Sequence, residues 1–158
     1  MDIILLYSYW YSGVFSDCTS LTSIEIPASV ETIGVAAFQG CTALTSVTFE
    51  KGSQLRIIGG TRVGEYYYGA FYGLPNLKTV DMSACTQVKT LQESAFAKCS
   101  SLQLFKIGTI TPPKANADYR HATFSSLPSF SILKVPAESV EAYKQASGWN
   151  SFSNISAL

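Results

Sequence analysis

A chain of 158 residues has the length of one domain or of one quasi-linear array. Eleven basic residues balance eleven acidic ones, so there is neither a basic field for nucleic acid nor a polyanionic surface for cations. Charged residues make up only 14% while Ser, Thr, Tyr and Phe are abundant, which favours strands over helices, and no apolar run reaches the roughly 18–20 residues that span a membrane.

Met1 to Gly13 holds Ile3-Ile4-Leu5-Leu6 and then Tyr7, Tyr9, Trp10 and Tyr11. It lacks a basic leading segment and its apolar core is interrupted, so it reads poorly as a signal peptide. Ile3 precedes Phe15 by the same 12 residues that separate Ile26 from Phe38, so residues 1–14 are expected to form a degenerate first coil or N-terminal cap. From Phe15 onward one block recurs five times. Each Phe is followed at +6, +9 and +11 by apolar residues: Phe15 by Leu21, Ile24 and Ile26; Phe38 by Leu44, Val47 and Phe49; Phe71 by Leu77, Val80 and Met82; Phe96 by Leu102, Phe105 and Ile107; Phe124 by Phe130, Leu133 and Val135. The spacings between Phe residues are 23, 33, 25 and 28. A period of this size carrying L-x-x-L-x-L is the leucine-rich-repeat signature. Residues 15–135 are therefore expected to make about five such repeats, each with a short strand whose apolar residues point inward and whose alternate residues point out of a parallel sheet.

Each repeat has a second apolar pair three residues apart, Val30 with Ile33, Leu55 with Ile58 and Val88 with Leu91, which predicts another inward-facing edge. The period breaks once. Thirteen steps separate Ile58 from Phe71 where neighbouring copies have five, so an insertion lies near 59–69 and is expected to bulge from the convex side. Thr111-Pro112-Pro113-Lys114 interrupts regular structure after the fourth copy. After Val135 the period ends, and 136–158 reads as a C-terminal cap with a short helix over Pro136–Ala146. Its acidic residues come early, Lys144 late, and Gly148 supplies a stop. Val140, Tyr143 and Trp149 are placed to hide the last apolar layer, as an open solenoid requires.

The string Ile26-Pro27-Ala28-Ser29-Val30-Glu31-Thr32-Ile33-Gly34, joined to Ala37-Phe38-Gln39-Gly40-Cys41, resembles the bacterial surface-antigen (BspA-like) class of leucine-rich repeats over about residues 15 to 150. The resemblance implies a mostly β, α/β-type right-handed repeat solenoid with a parallel sheet on one face and a short C-terminal capping helix. It also implies an exported or cell-surface bacterial protein engaged in adhesion; an enzyme is not expected, because no convergent catalytic set is legible in the residues, and no cofactor is expected.

The chemistry of the side chains agrees with a binding role. The Phe column predicts a buried stack, from which removal of one ring costs about 3–5 kcal/mol. Cys18, Cys41 and Cys99 share the +3 position with Leu74 and Leu127, which points to small buried hydrophobes; Cys18 and Cys41, one coil apart, are within reach of a disulfide. Cys85 is expected buried and reduced. Four cysteines without a C-x-x-C pair and a single histidine, His121, do not assemble a metal site. Asp118, His121 and Ser125 or Ser126 can be arranged on paper as a triad, yet no nucleophile elbow accompanies them. The outward columns of the sheet read Glu25, Thr48, Asp81, Lys106, Lys134 and Ser23, Ser46, Thr79, Leu104, Ile132. They predict a protein-docking strip centred on Leu104, Lys106, Ile132 and Lys134. Tyr66, Tyr67, Tyr68 and Tyr72 form the alternative site, an aromatic loop suited to a glycan. A plain spacer within a longer adhesin is the remaining reading.

Overall fold

The computed structural model describes residues 13–118 and 120–158. In chain order the elements are β1 (Ser23–Ile26), β2 (Thr32–Ile33), β3 (Ser46–Phe49), β4 (Ile57–Ile58), β5 (Arg62–Val63), β6 (Tyr66–Tyr67), β7 (Thr79–Met82), β8 (Thr90–Leu91), β9 (Leu104–Ile107), β10 (Lys114–Ala115), β11 (Ile132–Val135), α1 (Val140–Gln145) and β12 (Asn154–Ala157). Four-residue strands stack as an all-parallel sheet in the order β1-β3-β7-β9-β11-β12, and two-residue strands stack as a second parallel sheet in the order β10-β8-β4-β2. The chain is thus a β solenoid of about five turns. The expected first coil at 1–14 lies outside the described residues for all but its last two positions.

Sequence spacing becomes register directly. Ile24 pairs with Val47, Val47 with Val80, Val80 with Phe105 and Phe105 with Leu133, so each +9 residue lies over its counterpart. Alternation inside each four-residue strand sends two side chains inward and two outward, which is why Val47, Phe49, Val80, Met82, Phe105, Ile107, Leu133 and Val135 are all buried. The second apolar pair does the same on the other sheet: Ile33, Ile58 and Leu91 are sealed beneath β2, β4 and β8.

The Phe residues build a third edge. Phe15, Phe38, Phe71 and Phe96 stack nearly parallel with centroids 4.9–5.1 Å apart, and Phe124 continues the column at 5.8 Å. Their backbones form a ladder with a fixed direction. The N–H of Phe15 donates to the carbonyl of Ala37, Phe38 to Ala70, Phe71 to Ala95 and Phe96 to Thr123, each at 2.9 Å. The residue two after the Phe turns left-handed in every copy: Asp17, Gly40, Gly73, Lys98 and Ser126 have φ between 59° and 79°. At the +3 position the thiols of Cys41 and Cys99 donate to the carbonyls of Phe15 and Phe71 in the preceding coil. All four cysteines are free, so the Cys18–Cys41 bridge is not formed, and Cys85 is buried against the Ser53 hydroxyl.

Two sequence expectations differ from the structure. Phe130, assigned to the inward +6 column, is 62% exposed. The turn closed by the Ser131 N–H on the Pro128 carbonyl sends Ser131 inward instead, where its hydroxyl donates to the carbonyl of Leu102 at 2.6 Å. The core there is closed by Phe152, whose ring lies 5.0 Å from Phe124 and 6.0 Å from Phe105. The cap is also more than a helix. A 3-10 turn at Ala137–Ser139 leads into α1, Gly148 turns the chain at φ 85°, and β12 then joins the main sheet beside β11 as a sixth parallel strand. Tyr143 and Trp149 are fully buried as expected. Trp149 donates its indole N–H to the Pro113 carbonyl at 2.8 Å and Tyr143 its hydroxyl to the Thr109 carbonyl at 3.0 Å, so both bring their polar tips in satisfied.

Candidate functional site

The sheet face is built as its spacing requires. Glu25 pairs with Thr48, Thr48 with Asp81, Asp81 with Lys106 and Lys106 with Lys134, while Ser46, Thr79, Leu104 and Ile132 form the parallel column beside them. Glu25 and Thr48 are exposed, whereas Asp81, Leu104, Lys106, Ile132 and Lys134 are half-buried. The two lysines occupy adjacent strands yet diverge. Lys106 Nζ reaches back to Asp81 Oδ2 at 2.8 Å, and Lys134 Nζ reaches forward to the carbonyl of Ala157 on β12 at 3.1 Å. Burial alone would raise the Asp81 carboxyl, but hydrogen bonds from Lys106 and from the hydroxyl and N–H of Ser83 hold it below its ordinary value. The divergence leaves Leu104 and Ile132 side by side, with the Asp81–Lys106 ion pair on one flank and the Lys134 amine on the other. That is an apolar pair bordered by charged groups.

The insertion is an ordered hairpin. β5 and β6 pair antiparallel around Gly64, whose φ of 59° at the first central position suits a two-residue turn. Its two ends press on the backbone of the coil that follows: a Cβ at Gly60 would lie 1.8 Å from the Glu93 carbonyl oxygen, and one at Gly69 2.0 Å from that of Ser94. Glycine alone permits that approach. The hairpin leaves the coil between the short-strand sheet and the Phe turn, away from the main sheet.

The four tyrosines do not share one plane. Tyr66 projects at 71% exposure, while Tyr67, Tyr68 and Tyr72 are half-buried. Tyr67 stacks on Tyr72 at 5.8 Å and lies 5.9 Å from the His121 ring, and Lys98 Nζ sits 5.5 Å over the Tyr72 ring. His121, Tyr67, Tyr72 and Lys98 thus run as a row of stacked groups tying the hairpin to two later turns. Contact with the Tyr72 hydroxyl raises the Lys98 pKa further, so this amine stays charged.

Below this row a groove of about 620 Å³ opens, lined among others by Tyr67, Tyr72, Lys98, Arg120, Ser125 and Ser126. The sequence reading overlooked Lys98, Arg120 and these serines as a group. Lys98 had one signal available: it occupies the left-handed +2 position where other copies carry Asp, Gly or Ser.

The structure gives Asp118 and His121 a shaping role. Asp118 accepts from the N–H of Arg120 and contacts His121 Nδ1 at 3.2 Å, while its own N–H donates to Asn116 Oδ1, so the loop is a nested set of Asx turns. Hydrogen bonding from Arg120 and His121 keeps this carboxyl below its ordinary range. The thiols are shielded: burial pushes Cys85 up to about 11 and Cys99 to about 12, and raises Cys41. Among the described residues no three His, Cys, Asp or Glu side chains gather in a way that could hold a metal ion, and no helix is long and apolar enough to cross a membrane.

A family model described as BspA type leucine-rich repeat region, in six copies, matches residues 9–147. No curated protein matches the chain.

Proposed function

The chain belongs to the BspA-type leucine-rich repeat family, and on that premise we propose that it is a non-enzymatic adhesion module of an exported or surface bacterial protein. It contacts a protein ligand through the main sheet. Leucine-rich repeats are a protein-binding architecture and generally not a catalytic one. The observation that carries the reading is the strip at β9 and β11, where Leu104 and Ile132 lie in register between the diverging Lys106 and Lys134. Half-buried aliphatic side chains on neighbouring strands lose little further entropy on contact, and Lys134, whose amine meets a carbonyl and not a carboxylate, leaves a positive charge on one flank for an acidic group of the partner.

The experiment is surface-plasmon resonance against a panel of purified extracellular-matrix proteins, with wild type and Leu104→Ser/Ile132→Ser compared. Binding by wild type that drops about tenfold or more in the double variant, at unchanged melting temperature, is the expected result. No binding to any panel member, or equal binding by both proteins, sinks the assignment.

A further inference from the structure

The ladder of Phe-turn hydrogen bonds runs in one direction and ends abruptly. Each earlier Phe N–H finds a carbonyl in the following coil, as do the left-handed residues Asp17, Gly73 and Lys98, whose N–H groups donate to Gln39, Ala97 and Ser125. At the last copy the cap supplies β12 to the main sheet and Trp149 and Phe152 to the core, but among the described residues no backbone carbonyl accepts from Phe124, the one Phe of the column so placed, nor from Ser126, which shares this with Gly40. Both residues line the groove, which runs beside the last three Phe turns.

Its lining makes that end of the molecule rich in donors. Lys98 and Arg120 stand on the groove with the hydroxyls of Tyr72, Ser125 and Ser126, and no carboxylate is among the lining residues; Asp118 lies behind, engaged with Arg120 and His121. Cations beside hydroxyls and backbone N–H groups complement an anion with several acceptor oxygens. Tyr67, Tyr72 and the half-buried Leu127 add apolar wall beside these polar groups, the amphipathic lining that a sugar ring with an acidic substituent requires. The volume falls within the range of small-ligand sites.

We infer that this groove binds an acidic saccharide, carboxylated or sulfated, with Lys98 and Arg120 taking the anionic group. The hairpin serves as the groove's outer wall rather than as a free-standing tyrosine platform. The site is independent of the sheet strip, so either can fail without the other.

Isothermal titration with four probes tests it: a hyaluronan tetrasaccharide for the carboxylate, a heparin tetrasaccharide for the sulfate, chitotetraose as a neutral sugar, and a phosphoserine peptide as the protein-derived anion. Wild type should bind at least one acidic tetrasaccharide saturably at about 0.05 M salt, more weakly at about 0.5 M, and more tightly than chitotetraose. Lys98→Gln/Arg120→Gln should weaken that binding about tenfold or more. Leu104→Ser/Ile132→Ser, on the other face, should leave it unchanged. Both charged positions are exposed, so melting temperatures should not move, and Arg120→Gln alone gives a smaller loss in the same direction. The assignment is overturned by no acidic saccharide binding, by equal binding of chitotetraose, by indifference to the double variant, or by the phosphopeptide binding where neither acidic saccharide does.

Discussion

At the scale of single residues, the left-handed +2 column shows how the repeat distributes strain. Gly40 and Gly73 adopt φ of 79° and 68° at no cost, while Asp17, Lys98 and Ser126 hold φ near 60° with a Cβ present. Forcing an L residue there costs roughly 1–2 kcal/mol. Gly73 is the clean place to measure it, because nothing lies within 4 Å of where its Cβ would sit. Gly73→Ala should destabilise the protein by about 1 kcal/mol in urea titration, and Ser126→Gly should stabilise it by a few tenths to about 1 kcal/mol once the flexibility of glycine in the unfolded chain is set against the relief. Equal stability of both variants and wild type would mean the ladder imposes no strain. The inward columns were legible from spacing alone because stacking repeats one environment at each coil. Phe130 was misread for the same reason: it sits at the right step, but the short turn from Pro128 to Ser131 shifts which side chain faces in.

At the scale of elements, the hairpin and the cap are the two departures from the period, and both carried structure that spacing does not encode. The insertion's length and its glycines were visible in the sequence. Its antiparallel pairing and the stacking of Tyr67 on Tyr72 were not, because they depend on where a later coil places its neighbours. β12 was hidden because Asn154–Ala157 has no Phe turn before it to set the register. The hairpin is closed at its base by reciprocal bonds between Thr61 and Tyr68, and the coil resumes where the Ala70 N–H meets the Gly59 carbonyl. Deleting residues 61–68 restores the five-step spacing of the adjacent copies. The shortened protein should keep its far-ultraviolet circular dichroism and cooperative melting, with any loss small, since loop length alone changes closure entropy only slowly. Loss of cooperative melting would show instead that the hairpin stabilises the array.

At the scale of the whole molecule, stability is shared along the stack rather than held in one place. The Asp81–Lys106 pair joins two central coils, with the side chains 25% and 30% exposed. The Asp81 carboxyl lies below its reference of 3.8 in the folded protein, so its contribution is present above that pH and is lost as pH falls through the lower folded value. Asp81→Asn should therefore lower stability by about 1 kcal/mol near neutral pH, with the two proteins converging as the pH falls through that lower folded value. A constant gap from neutral to acid pH would show that the carboxylate's charge is not the source. The same scale explains why the groove escaped the sequence reading. Lys98 and Arg120 belong to different turns, and only the end of the stack brings them to one edge.

That end has a shape of its own. Among the described residues the main sheet runs one strand further than the Phe column, so the cap makes a ledge and not a flat face. A solenoid that gains or loses internal copies lengthens or shortens its sheet, and any recognition written there changes with it. The ledge is made once, by the last turn and the cap, and would pass intact through such rearrangement. Reach and selectivity are thereby inherited separately: the number of coils sets how far the surface extends, and the final step keeps its own chemistry whatever that number becomes.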